Sequence, residues 1–187
     1  MIDRRVIWIG AVLCLFGGAG ARAQQPPPAA PPAADSQDVA SVDAVLAALY
    51  NVISGDSGQV RNWNRFRSLF APGARLIPVG ARPGGSAVGA RVLTPDDYVQ
   101  RVGPMLESRG FHEREVARRT ETYGAIVHAF STYESRQRAG DAAPFMRGIN
   151  SIQLFHDGTR WWIQTIMWWG ETAATPLPPR YLTSERH

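Results

Sequence analysis

The chain has 187 residues, enough for one domain with a real core, and its formal net charge of +4 comes from 20 arginines, with no lysine, against 16 acids. The arginines are interspersed with Asp and Glu rather than gathered into a stripe, so the chain lacks the basic track a phosphate backbone requires, and nucleic acid is excluded as a partner. A single cysteine, Cys14, and four histidines with no close pair leave no zinc set, disulfide or thiol nucleophile to expect.

Arg4 and Arg5 precede an uncharged apolar stretch from Val6 to Ala21, and Ala21-Arg22-Ala23 forms a small-x-small site before Gln24. Positive, then apolar, then small-x-small is the order of a secretory signal peptide. The apolar run falls short of the ~20 residues a spanning helix needs. Residues 1–23 are therefore expected to be removed, leaving a periplasmic or secreted protein with no stable membrane span. Cys14 leaves with them, and the mature chain keeps 17 arginines against 15 acids. Residues 24–37 read as a Pro/Ala-rich linker with too little apolar bulk to build a core. A globular domain is expected over 38–172, and a flexible tail, marked by Pro176, Pro178 and Pro179, over 173–187.

The first element is a helix, because Val42, Val45, Leu46, Leu49, Tyr50 and Ile53 form one apolar stripe at helical spacing. Asn62 caps a short second helix whose Trp63, Phe66, Leu69 and Phe70 face inward. Pro72-Gly73 turns the chain into a strand over 74–79, and a Gly-rich loop, 80–89, leads to a short strand near 90–93. Thr94-Pro95-Asp96-Asp97 is a strong helix start, with a capping hydroxyl, a proline where its missing N–H does no harm, and acids at the positive end of the dipole. Gly103-Pro104 is expected to kink or restart that helix. After Gly110, four runs rich in β-branched and aromatic residues (111–122, 125–137, 145–156 and 160–171) read as an antiparallel meander. Helices first and strands last means α+β, with helices packed on one face of a bent sheet.

The segments FRSLFAPGARL (66–76), TPDDYV (94–99), AIVHAFSTYES (125–135), GINSIQL (148–154) and GTRWWIQTIMW (158–168), taken in this order, resemble the nuclear transport factor 2-like superfamily. That superfamily includes SnoaL-like polyketide cyclases and ketosteroid isomerases. The resemblance implies a cone of curved antiparallel sheet wrapped around the N-terminal helices, with an apolar pocket at its open end; no cofactor or metal is expected. It also implies pairing of two copies through the outer sheet face. The last strand points the same way. Trp161, Ile163, Thr165, Met167 and Trp169 alternate with Trp162, Gln164, Ile166 and Trp168, so both faces are apolar and both need cover. A homodimer through the Trp-rich face is the economical cover.

Members of the superfamily place a histidine or carboxylate base in the cone, often with a tyrosine or a second acid. On the second of these runs, His128 shares a face with Ile126, Phe130 and Thr132, and histidine titrates near neutrality, which makes it the first candidate for a base. The plainer use of His128 is as a hydrogen-bonded core residue. Tyr50 and Asn150 are candidate donors to a substrate oxygen, and Trp63, Phe66 and Phe130 are candidate walls for a ligand. Asp96 and Asp97 belong to the helix cap. No paired-aspartate arrangement of the ketosteroid isomerase kind can be carried over, since no Asp falls in the middle of a strand. Two function classes stand: a pocket that binds a small, mostly apolar molecule without reacting with it, which the missing acid–base pair favours, and a cofactor-free isomerase, cyclase or dehydratase with His128 as base.

Overall fold

The computed structural model of the protein describes residues 30–81 and 87–183; the signal segment with its cleavage site, and the linker up to residue 29, lie outside them. A 3-10 turn, Ser36–Val39, leads into helix α1, Val42–Ile53. The Ser41 hydroxyl caps α1 by accepting from the Ala44 amide at 3.0 Å. The expected stripe is buried, with Val45, Leu46 and Leu49 all less than 5% exposed. Helix α2, Trp63–Ser68, is capped by Asn62, whose side chain accepts from the Arg65 amide at 2.9 Å. Arg65 in turn grips Asp38 with two hydrogen bonds of 2.6 and 2.8 Å, clamping the 3-10 turn onto α2.

Strand β1, Phe70–Ala81, begins four residues earlier than its sequence suggests, and its register shifts between Phe70 and Arg75, where Pro72 and Gly73 sit. Strand β2 is Val88–Ala90. Helix α3, Pro95–Arg109, starts on a capping box between Thr94 and Asp97 and runs unbroken through Gly103-Pro104. A proline there forgoes one intrahelical hydrogen bond. The glycine beside it meets a packing need, because a Cβ at Gly103 would lie 3.1 Å from the Trp63 indole. Trp63 thus rests on α3 and holds the two helices together.

Four long strands follow: β3 (His112–Tyr123), β4 (Ile126–Arg136), β5 (Met146–His156) and β6 (Trp161–Gly170). They form the expected antiparallel meander, extended by β1 and β2 into one six-stranded sheet of order β2-β1-β6-β5-β4-β3. The β1–β6 pair is parallel, so the sheet is mixed rather than wholly antiparallel. Two extra residues reset which side chains point inward. Val116 is unpaired in β3 between Glu115 and Ala117, and Gln164 is unpaired in β6 between Ile163 and Thr165. Strict alternation along β6 is therefore corrected. Ile163, Ile166 and Trp168 face the helices, and Trp162, Thr165, Met167 and Trp169 face outward.

The segment after residue 172, read from sequence as a flexible tail, folds back over the outer sheet face with a 3-10 turn at Pro179–Tyr181. Thr132 donates to the Tyr181 carbonyl at 2.6 Å, and the Tyr181 ring meets Phe130 at 5.1 Å.

Between α1 and α2 the chain loops around Arg61, which is 4% exposed. Its guanidinium donates to the carbonyls of Ile53 (3.1 Å), Gly55 (2.6 Å) and Leu106 (3.2 Å), and also to Gln59. Gly55 must lack a side chain, since a Cβ would lie 2.6 Å from that guanidinium. Glu107 on α3 completes the knot, accepting from the Arg61 amide at 3.0 Å and from the Trp63 indole at 2.8 Å. Substituting Arg61→Met keeps the apolar stem and strands buried carbonyls, so it should lower stability by about 3 kcal/mol. Urea unfolding of the mature chain measures this, and an unchanged midpoint would remove Arg61 from the framework.

Candidate functional site

The helices cover only part of the concave sheet face, and beyond the end of α1 a cavity of about 170 Å³ remains. Its walls are apolar side chains from every layer: Leu49 and Ile53 of α1, Phe66 of α2, Val102 and Leu106 of α3, and Ile166 of β6. Tyr98 of α3 stacks on Phe66 with ring centres 5.4 Å apart and meets Trp168 edge-on at 6.4 Å, closing one side. A cavity of about 150 Å³ accommodates a benzene-sized molecule, so this one suits a ligand of about one ring.

Besides Tyr98, the residues Glu113, Tyr133 and Asn150 bring polar groups to the apolar wall. Glu113 is the second residue of β3. Its amide donates to the Ser54 hydroxyl at 2.9 Å, which ties it to the end of α1. Register places it opposite Ser135, whose hydroxyl donates to the Glu113 carboxylate at 2.8 Å. Although the residue as a whole is only half-buried, its carboxyl faces the cavity. Loss of water there pushes its pKa up to about 7, against the smaller opposing effect of Ser135 and of the Asn150 amide that faces it. Burial is the larger effect, so the carboxyl holds and releases a proton near neutral pH.

Tyr133 lies opposite Gly148, and its side chain is 1% exposed. A Cβ at Gly148 would lie 2.6 Å from the Tyr133 hydroxyl, so glycine makes the space that this hydroxyl occupies. The hydroxyl is buried with no hydrogen-bond partner among the described residues. Burial first, and the charge of Glu113 second, raise its pKa well above the ordinary phenol value, so it stays a neutral donor. A buried hydroxyl without a partner carries a desolvation penalty that a ligand oxygen would relieve.

The structure brings together some of the residues singled out from sequence and separates others. Tyr50 and Asn150 meet, with the Asn150 amide donating to the Tyr50 hydroxyl at 3.0 Å, and Phe66 lines the cavity. Trp63 sits behind Phe66, edge-on at 5.8 Å, and packs between α2 and α3 rather than against the cavity. His128 and Phe130 lie on the opposite face of the sheet. The His128 ring bonds the Ser151 hydroxyl at 3.0 Å, and Phe130 sits under Tyr181. Choosing the bulkier face of β4 as the inner one reversed that strand. The small face, Ala129 and Ser131, is inward because α1 packs directly on it, and bulk returns only at Tyr133, where the cone opens.

Glu113 and Tyr133 were not singled out from sequence. The available signal was Glu113-Arg114-Glu115 at the start of a strand, two acids with period-two spacing directed at an apolar helix face.

No protein-family model and no curated protein matches the chain. Solved structures do. The β subunit of a provisionally assigned aromatic-ring-hydroxylating dioxygenase from Novosphingobium aromaticivorans is similar over 74% of this chain and 95% of its own, with TM-score 0.54 and 14% identity. A protein provisionally assigned as a scytalone dehydratase, from the same organism, is similar over 71% of this chain and 83% of its own, with TM-score 0.51 and 10% identity. A protein of unknown function with a cystatin-like fold, from Nostoc punctiforme, is similar over 68% of this chain and 86% of its own, with TM-score 0.51 and 8% identity. At these identities the likeness is one of fold. The nuclear transport factor 2-like α+β cone expected from the sequence is the fold the chain has.

The raised pKa of Glu113 has a consequence for stability. An ordinary glutamate loses its proton near 4.5, whereas the folded chain holds this one to about 7. Between those values the folded state binds a proton that the unfolded state has lost, so stability falls as pH rises through that window, by about 3 kcal/mol, and is level above it. Glu113→Gln should abolish the fall and unfold later than the parent at pH 8. Urea titrations of both proteins at pH 5 and pH 8 test this, and equal pH dependence in the two would place the Glu113 carboxyl in water.

Proposed function

We propose that this nuclear transport factor 2-like cone is an acid–base site for a small, mostly apolar molecule of about one ring that carries a carbonyl. Glu113 moves the proton and Tyr133 hydrogen-bonds the oxygen. The observation that carries the reading is the pairing, in the wall of one apolar cavity, of a carboxyl that titrates near 7 with a buried tyrosine whose hydroxyl has no partner among the described residues. A pocket that only binds has no use for a carboxyl poised near neutrality, and this takes the reading beyond the non-reactive pocket favoured by the sequence.

The chemistry follows from the groups present. The ionised Glu113 takes a proton from the carbon next to the carbonyl; the electron pair of that C–H bond forms a C=C bond to the carbonyl carbon, and the C=O π pair moves onto the oxygen. The Tyr133 O–H, a neutral donor in a site without competing water, stabilises the resulting enolate. Glu113, now a carboxylic acid, returns the proton to the same carbon or to one conjugated with it. Nothing is oxidised or reduced, so the residues present suffice. A base with a pKa near the working pH combines a useful ionised fraction with useful proton affinity. Burial is the largest effect that tunes Glu113 in this way.

The test is proton exchange. The mature protein is incubated in heavy water with cyclohex-3-enone and saturated one-ring ketones, and loss of the C–H signal is followed by NMR. We expect catalysed exchange that rises through pH 7, falls about 10³-fold in Glu113→Gln and falls about 10²-fold in Tyr133→Phe. Binding of these ketones, read as a thermal shift, with exchange no faster than in buffer would reduce the site to a binding pocket.

A further inference from the structure

We infer that Glu115, Ser131 and Tyr50 form a directed hydrogen-bonded brace that orients the Asn150 amide toward Glu113, so that Tyr50 and Ser131 are positioning residues of the cone. The inference rests on the functional reading of Glu113 given above.

The argument counts hydrogens. Ser131 donates its one hydroxyl hydrogen to the Glu115 carboxylate, at 2.6 Å. Toward Tyr50, 2.6 Å away on its other side, Ser131 can therefore only accept, and the Tyr50 O–H must donate to it. That leaves the Tyr50 oxygen to accept, and it receives an N–H of Asn150 at 3.0 Å. Every link points the same way, from Asn150 through Tyr50 and Ser131 to Glu115. The nitrogen of the Asn150 amide is thereby fixed as the end facing Tyr50, so that Asn150 presents an amide N–H, rather than its oxygen, to the cavity wall it shares with Glu113, whose charged form it favours.

The far end is anchored as well. Arg118 contacts the Glu115 carboxylate at 3.1 Å and Asp43 of α1 at 2.7 Å; burial pushes the Glu115 pKa up, and Ser131 and the Arg118 charge oppose it by favouring the ionised, accepting form. The unpaired Val116 makes this possible, since it lets Glu113, Glu115 and Arg118 all face α1 from one strand. Tyr50, Ser131 and Asn150 are each at most 7% exposed, so no water competes for the links. The brace spans α1, β3, β4 and β5.

Other titratable or charged groups face Glu113 from its surroundings. They are Tyr98 from α3 and Tyr133 from β4, with His112, Arg114, Arg136 and Asp141 along the polar groove that Glu113 borders on its other side. None of these is altered by the variants that break the brace.

The test is the titration of Glu113 itself, read by NMR in mature protein carrying carboxyl-labelled glutamate. In Tyr50→Phe and Ser131→Ala the Asn150 amide loses its hold, and the Glu113 midpoint should move upward by about half a pH unit or more. In Glu115→Gln an acceptor remains and a negative charge is lost, so the midpoint should not rise. A Glu113 midpoint identical in parent, Tyr50→Phe and Ser131→Ala, with all three folded, would overturn the brace. A parent midpoint near the ordinary glutamate value would instead overturn the functional reading, and a rise in the two variants would then leave the brace standing.

Discussion

The buried guanidinium of Arg61 holds the end of α1, the loop after it and the last turn of α3 around one charge. A cation withdrawn from water needs its donors satisfied, and here backbone carbonyls do so, which locks the loop into a single path. That path brings Gly55 alongside Phe111, and the two exchange backbone hydrogen bonds of 2.7 and 2.9 Å at the threshold of β3. Ser54 continues the contact with two bonds to the backbone of Glu113. The strand is thus started in a fixed register against α1, and its second residue points its carboxyl into the cone. Without this constraint the carboxyl would sit on a frayed strand end, in water, with an ordinary pKa.

Once Glu113 is placed, two effects compete for its proton. Ser135 and Asn150 favour the charged form, and the apolar walls from Phe66, Leu106 and Ile166 disfavour it. The walls prevail, and the resulting midpoint near 7 works against stability at neutral pH. A fold free to place any residue there would do better with an apolar one. A carboxyl held partly protonated by burial, in the same cavity wall as a tyrosine whose hydroxyl has no partner among the described residues, is the pattern of a functional site rather than of a core. The Trp63–Glu107–Arg61 knot is hydrogen-bonded, and the small Ala129–Ser131 face is buried.

The helices and the order of strands were readable from sequence because each carries its own signal. The stripe and Ser41 cap of α1, the Asn62 cap of α2 and the Thr94–Asp97 box of α3 are local features that tertiary context did not override. The site was less readable because it depends on parity. One extra residue at Val116 and another at Gln164 move side chains to the other face, and nothing in the composition of either strand marks them. In β4 the bulky face looked like the core face, yet helix proximity demanded the small one. That reversal put His128 and Phe130 outside and hid Tyr133. The inward placement of Tyr50, Asn150 and Phe66 was legible because a helix stripe and an isolated polar residue on an apolar strand survive such errors. The parallel pairing of β1 with β6 is a long-range contact with no local trace.

The central claim is that Glu113 and Tyr133 address the same oxygen-bearing ligand in the cone. A crystal structure of the mature protein soaked with a one-ring phenol, whose oxygen resembles that of an enolate, tests it directly. The account predicts the ring between Tyr98 and Leu106, with its oxygen within hydrogen-bond distance of the Tyr133 hydroxyl and beside the Glu113 carboxyl. A phenol bound in the cone with its oxygen turned away from both residues, or a cone left empty while the phenol binds elsewhere, would contradict it.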